Sequence, residues 1–161
     1  MLLKKSLTKE QAAEKIKSYC SYQERCHREV KDKLYSFGLR RNEVDEIICR
    51  LIENNYLNEE RFAKQFGGGK FRIKHWGRNK IKYELQQKGV NSFIIKIALK
   101  EIDEKRYFET LQKLAQTKWN VLNEENKLAR QSKTNAYLLQ KGYEQRLISE
   151  VLNNIKTSAV Q

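Results

Sequence analysis

Leu85-Gln86-Gln87-Lys88-Gly89, continuing as Val90-Asn91-Ser92-Phe93-Ile94-Ile95-Lys96-Ile97-Ala98-Leu99-Lys100-Glu101-Ile102, decides the architecture. A leucine precedes a glycine by four residues. Beyond the glycine, Ile95, Ala98, Leu99 and Ile102 recur at i, i+3, i+4 and i+7. That spacing places four apolar side chains on one helical face. The glycine suits the end of the preceding helix, where the backbone turns left-handed and a side chain would clash.

The pattern occurs twice more. Leu34 and Gly38 are followed by Val44, Ile47, Ile48 and Leu51, and Leu138 and Gly142 by Ile148, Val151, Leu152 and Ile155. The three glycines stand 51 and 53 residues apart. A period of that length marks a repeat architecture, and each repeat has room for three helices. In the first, Thr8 and Gln11 form a capping box opening a helix with Ala12, Ala13, Ile16 and Cys20 along one side. Further helices are expected at about 23–37 and 42–54. In the second, Asn58 caps a helix whose first turn carries Glu59 and Glu60, the charge a helix N-terminus favours. Helices at about 78–88 and after the cap Asn91 follow. The third opens with a longer helix carrying Tyr107, Leu111, Leu114, Ala115 and Trp119, then helices at about 125–140 and 144–155.

The expected fold is therefore all-α: an elongated tandem array of three three-helix, helix-turn-helix-like repeats at 1–55, 56–103 and 104–161. The absence of proline permits uninterrupted helices. One stretch departs from this pattern. Gly67-Gly68-Gly69 falls where the repeat wants helix, at about 1 kcal/mol per glycine relative to alanine. Lys70-Phe71-Arg72-Ile73-Lys74 then alternates like a short strand. A helix weakened or ended there is expected.

Charge singles out the middle repeat. The chain carries 33 Lys+Arg against 20 Asp+Glu, a net +13, which favours polyanionic partners. Residues 64–88 hold Lys64, Lys70, Arg72, Lys74, Arg78, Lys80, Lys82 and Lys88 against Glu84 alone. Phe66, Phe71, His75, Trp76 and Tyr83 interleave with them. Cations around π-faces suit a phosphate backbone with unstacked bases. Each aromatic taken singly reads as core, whereas the basic cluster as a whole reads as a binding face, since it exceeds what solubility requires.

Other function classes find little support. There is no nucleophile elbow, phosphate-binding glycine loop or H-E-x-x-H motif. Cys20, Cys26 and Cys49 are odd in number and scattered; Cys26-His27 has no second ligand pair to complete a zinc site. A binding protein is expected, not an enzyme, with no metal and no cofactor. The cysteine pattern, the lack of an apolar leader in Met1-Leu2-Leu3-Lys4-Lys5 and the lack of a bilayer-spanning apolar run point to the cytoplasm.

The central run reads Tyr56-Leu57-Asn58-Glu59-Glu60-Arg61-Phe62-Ala63, then Phe66, Trp76-Gly77-Arg78-Asn79-Lys80-Ile81, and Glu84-Leu85-Gln86-Gln87-Lys88-Gly89-Val90. It resembles the signature of RecX regulatory proteins, in which an aromatic-Leu-Asn/Asp-acidic-Glu-Arg-Phe-Ala segment precedes a basic stretch, a glycine, an isoleucine and a Glu-Leu…Lys-Gly turn. Glu59 stands where aspartate is common, and the triple glycine where the family carries helix formers and a basic residue. The resemblance implies three-helix units that bind the RecA recombinase, especially its filament on DNA, and limit filament growth or promote its disassembly, damping ATP hydrolysis and strand exchange. Within that reading, Lys70, Arg72, Lys74, Arg78, Lys80, Lys82 and Lys88 of the basic stretch are the expected contacts to DNA or to acidic filament surface. Arg61 and Phe62 also have a structural reading, an ion pair and a core position. The implied molecule is a monomer with no membrane partner. Charge alone supports a second reading, a free-standing nucleic-acid-binding repeat protein; a metal-dependent nuclease is a third.

Ile48→Asp or Leu99→Asp should unfold the repeat that carries it, since a buried unpaired charge is very costly. Loss of helical circular dichroism is the readout.

Overall fold

A computed structural model describes residues 5–160, with side chains through Ser158. The described residues form nine α-helices and no strand: α1 (Lys9–Tyr22), α2 (His27–Ser36), α3 (Arg41–Glu53), α4 (Glu59–Lys74), α5 (Arg78–Gln87), α6 (Ser92–Lys100), α7 (Glu104–Val121), α8 (Lys127–Lys141) and α9 (Gln145–Val160). The fold is an all-α helical repeat.

Helix starts follow local chemistry. Thr8 Oγ1 accepts from the Gln11 amide while Gln11 Oε1 accepts from the Thr8 amide, the expected capping box. Glu29 and Glu43 reach back in the same way to the amides of Cys26 and Arg40. Side-chain oxygens of Asn58, Asn91, Asp103 and Asn126 each accept an amide of the first turn of α4, α6, α7 and α8.

Helix ends explain the Leu-x-x-x-Gly pattern. Gly38, Gly89 and Gly142 have φ of +87°, +81° and +102°. At the end of α5 the Gly89 amide donates to Gln86 O and the Val90 amide to Leu85 O. At the end of α8, Gly142 donates to Leu139 O and Tyr143 to Leu138 O. This is the Schellman arrangement, which satisfies carbonyls the helix leaves over. The leucine supplies both an acceptor and a core side chain. The residue after each glycine (Leu39, Val90, Tyr143) is buried with it.

The chain falls into two compact units. The first gathers the chain as far as Phe66 together with Leu85–Ile97. In it α1, α2 and α3 pack on one another around Ile16, Val30, Leu34, Val44, Ile47, Ile48 and Leu51. The second gathers Gly67–Glu84 and Ala98 onward. In it α7, α8 and α9 pack together, burying Tyr107, Leu111, Ala115 and Trp119 with Leu138, Ile148, Val151 and Leu152. Of the repeated apolar positions, Leu99 alone is half-buried, so Leu99→Asp should cost less than the expected unfolding, which holds for Ile48→Asp; the others are buried.

The break expected at the triple glycine does not occur. α4 runs unbroken from Glu59 to Lys74, and Lys70–Lys74 is helix, not strand. Local propensity yields to packing: Phe62, Ala63 and Phe71 are buried, and the N-terminus is capped. Two of the glycines also fill a steric role. A Cβ on Gly67 would lie 3.3 Å from Ile81 Cγ2, and one on Gly68 would lie 2.7 Å from the Arg72 guanidinium; one on Gly69 would meet nothing within 4 Å. The helix ends instead at His75, a non-glycine residue with φ +58°.

Gly69→Ala should therefore stabilise the protein by about 1 kcal/mol. Gly77→Ala should destabilise it by about 3 kcal/mol, because its Cβ would lie 2.3 Å from backbone atoms of Gly142. Urea unfolding of the two variants measures both.

Candidate nucleic-acid and filament interface

The family-like run separates into scaffold and surface. In Tyr56–Ala63, Leu57, Phe62 and Ala63 are buried. Asn58 caps α4. Arg61 ties the turn before α4 together: its guanidinium pairs with Glu24 and donates to Asn55 Oδ1 and Asn55 O, each at 3.0 Å. Asn55 has φ +62°, a left-handed conformation that asparagine tolerates. Glu59 meets His27 Nδ1 at 3.1 Å, and Glu60 meets Lys64 at 3.3 Å. These residues build the turn and the start of α4; Arg61 and Phe62 take the structural roles open to them.

Gly77 and Arg78 lie at a backbone junction inside the second unit. The Gly77 amide donates to Lys141 O at 2.8 Å and the Asn79 amide to Gly142 O at 2.9 Å. The Arg78 amide between them donates to the Tyr107 hydroxyl at 3.0 Å. Three amides that α5 cannot satisfy internally are thus taken up by the carbonyl end of α8 and by Tyr107. The Tyr143 hydroxyl and Lys141 Nζ add bonds to His75 O (2.7 Å) and Lys74 O (3.1 Å).

Arg78 is engaged within the fold. Its Nη2 lies 2.6 Å from Glu104 and its Nη1 2.9 Å from Glu144, and its guanidinium sits 3.9 Å from the centroid of the Tyr107 ring. Burial alone would lower its pKa, but the Glu104 and Glu144 carboxylates outweigh burial and raise it. Burial, then the bond donated to Glu144, pushes the Tyr107 hydroxyl far above its ordinary range, so it stays a neutral donor. Lys88, in the first unit, is likewise held, 3.2 Å from Glu29 and 5.6 Å from the Phe66 ring centroid.

The remaining basic residues form a different setting. Lys70 and Lys80 place their ammonium groups 5.1 and 4.6 Å from the Trp76 ring centroid. Trp76 is half-buried; Arg72, Lys74 and Lys82 are exposed. Phe71 is core and Phe66 half-buried, but Tyr83 is 57% exposed, against the expectation of a core aromatic. It lies on the outer face of α5, opposite Ile81 and Leu85. Cys20 and Cys26 are buried, and burial raises both thiol pKa values, away from the thiolate a metal would require.

Sequence reading centred on 64–88 passed over two groups. The partners of Arg78, Glu104 and Glu144, lie too far along the chain for any local spacing to reveal. Arg106 and Lys113 on α7 carried a readable signal, an i, i+7 spacing, but a far smaller charge excess than residues 64–88. The geometry divides the cations by consequence. Arg78→Gln should lower stability by about 2 kcal/mol, as a charged hydrogen-bond set is lost. Arg72→Gln and Lys74→Gln should stay within about 0.5 kcal/mol of the parent in the same urea titration.

Two domain families match the sequence: "RecX, second three-helix domain" over residues 58–99 and "RecX, third three-helix domain" over 104–152. The regulatory protein RecX of Clostridium tetani is 35% identical over 130 residues, covering 80% of this chain and 59% of its own. That of Clostridium perfringens strain 13 is 38% identical over 119 residues, covering 73% and 55%. The chain thus spans between half and two thirds of the length of these curated relatives. The crystal structure of RecX from Lactobacillus salivarius is similar with a TM-score of 0.86 at 26% identity, covering 92% of this chain and 97% of that one. With both domain families in order along more than half its length, and the fold to match, the chain belongs to the RecX family of regulatory proteins.

Proposed function

We propose that this protein binds the RecA recombinase, above all its filament on DNA, and inhibits filament growth, ATP hydrolysis and strand exchange. It acts by occupancy, as a cytoplasmic monomer in recombination, DNA repair and the SOS response, without catalysis, metal or cofactor. Its working units are the repeats 1–55, 56–103 and 104–161. The observation that carries the reading is the Trp76 surface, flanked by Lys70 and Lys80, in a chain of the RecX family. A phosphate backbone would meet Lys70, Arg72, Lys74, Lys80 and Lys82, while Trp76 and Tyr83 offer π-faces to unstacked bases. Arg78 and Lys88 add to the local field through pairs that also hold the fold.

The net charge of +13 favours a second reading, DNA binding that needs no RecA. Its mark is an affinity that falls steeply as salt rises.

The deciding measurement is the rate of ATP hydrolysis by RecA on single-stranded DNA, titrated with this protein at fixed salt. Inhibition well below one protein per RecA is expected, as an agent acting on filament ends or scattered groove sites would give. An unchanged rate at equimolar protein overturns the RecA reading.

A further inference from the structure

We propose that the second unit holds a phosphodiester site beside the Trp76 surface, sharing Arg72 with it: a notch between the end of α4 and the first half of α7. It is lined by Phe71, Arg72 and His75 at the end of α4 and by Arg106, Glu109, Thr110 and Lys113 on α7. The space is about 260 Å³, room for a phosphate group with its ester oxygens.

The arrangement follows from the helices. On α7, Tyr107 and Leu111 face the core. Arg106, Thr110 and Lys113, at i, i+4 and i+7, share an outward face. Phe71 packs against Tyr107 with ring centroids 5.7 Å apart, which sets the end of α4 beside that face. Arg72 folds back over Gly68, whose missing Cβ leaves space for the guanidinium. His75 occupies a left-handed position of the kind glycine fills at the three repeat turns. Histidine is among the side chains this conformation admits; His75 lines the notch, and its backbone carbonyl accepts from the Tyr143 hydroxyl.

Charge completes the case. The cations with internal duties (Arg61, Arg78, Lys88) are each paired with a carboxylate. Among the described residues, Arg72, Arg106 and Lys113 make no ion pair. Three permanent cations line the notch against one carboxylate, Glu109, so its lining is net positive and favours an anion. Two guanidinium groups, an ammonium, an imidazole and a hydroxyl are the donor set that phosphate oxygens take. Because the ligand is a nucleic-acid strand, the inference rests on the DNA-binding part of the proposed function. It extends the binding surface from the basic stretch onto α7.

The test is fluorescence anisotropy of the full chain with a labelled oligothymidylate over a salt series. Arg106→Gln with Lys113→Gln is compared with a charge-matched control, Lys105→Gln with Lys127→Gln, exposed residues that do not line the notch. Circular dichroism confirms that both pairs fold. The notch pair should bind more weakly and lower the slope of log affinity against log salt by about 1.4, the change expected when two phosphates of a single strand are no longer neutralised. The control should leave the slope unchanged. Equal effects of the two pairs, no effect of the notch pair, or no binding by the parent chain would each overturn the site. If the notch fails while the parent still slows RecA hydrolysis, the regulator reading stands without it. If binding depends on the notch but RecA hydrolysis is unaffected, the site stands and the regulator reading falls.

Discussion

The carbonyl end of α8 meets the amide start of α5, and much of the second unit hangs on that meeting. A helix leaves its first amides and last carbonyls without partners, and here one helix's surplus donors answer the other's surplus acceptors. The partial charges of the two ends are opposite, so the contact is electrostatically favourable as well. It forms only because Gly77 and Gly142 face each other without side chains. Tyr107 accepts from the amide between them and donates a hydrogen bond to Glu144, and Arg78 closes the group by bridging Glu144 and Glu104. In the first unit a related junction is made by a side chain: Arg28 donates to Gln87 O, with its guanidinium over Gly89. At Gly38 the neighbour is Ser6, and the Leu7 amide bonds Phe37 O. Each repeat glycine therefore serves twice, supplying a left-handed turn and admitting a close neighbour.

This geometry changes the meaning of the family-like run. Tyr56–Ala63 and Trp76–Arg78 are rich in charged and aromatic residues, the composition of a contact surface. Three of their polar side chains are nonetheless engaged in turns and caps: Asn58 with an amide, Arg61 with Asn55 and Glu24, Arg78 with two carboxylates. A cation that is geometrically satisfied within the fold is a poor donor to a passing phosphate, since binding would first break its existing bonds. Positive charge with accessible donors lies elsewhere, on Arg72, Lys74 and Lys82 of the middle repeat and on Arg106 and Lys113 of α7.

How much of this the sequence alone determined varies with the range of the interaction. Helix caps and the repeat glycines were legible, because Thr8 with Gln11 and Leu85 with Gly89 act over three or four residues. The apolar faces were legible because a helix has one period; Ile148, Val151, Leu152 and Ile155 are buried as their spacing requires. Membership of the RecX family was legible in residues 56–90. Tertiary structure alone decided three matters. The triple glycine stayed helical, because burial of Phe62 and Phe71 on either side outweighs a local preference of a few kcal/mol. Arg78 became scaffold, because Glu104 and Glu144 reach it from 26 and 66 residues away. Arg72 and Arg106 came to share one notch, because the Phe71–Tyr107 ring contact sets α4 beside α7. Local spacing encodes what a residue does within its own helix, whereas the partner it meets depends on packing between helices, which no short window of sequence contains.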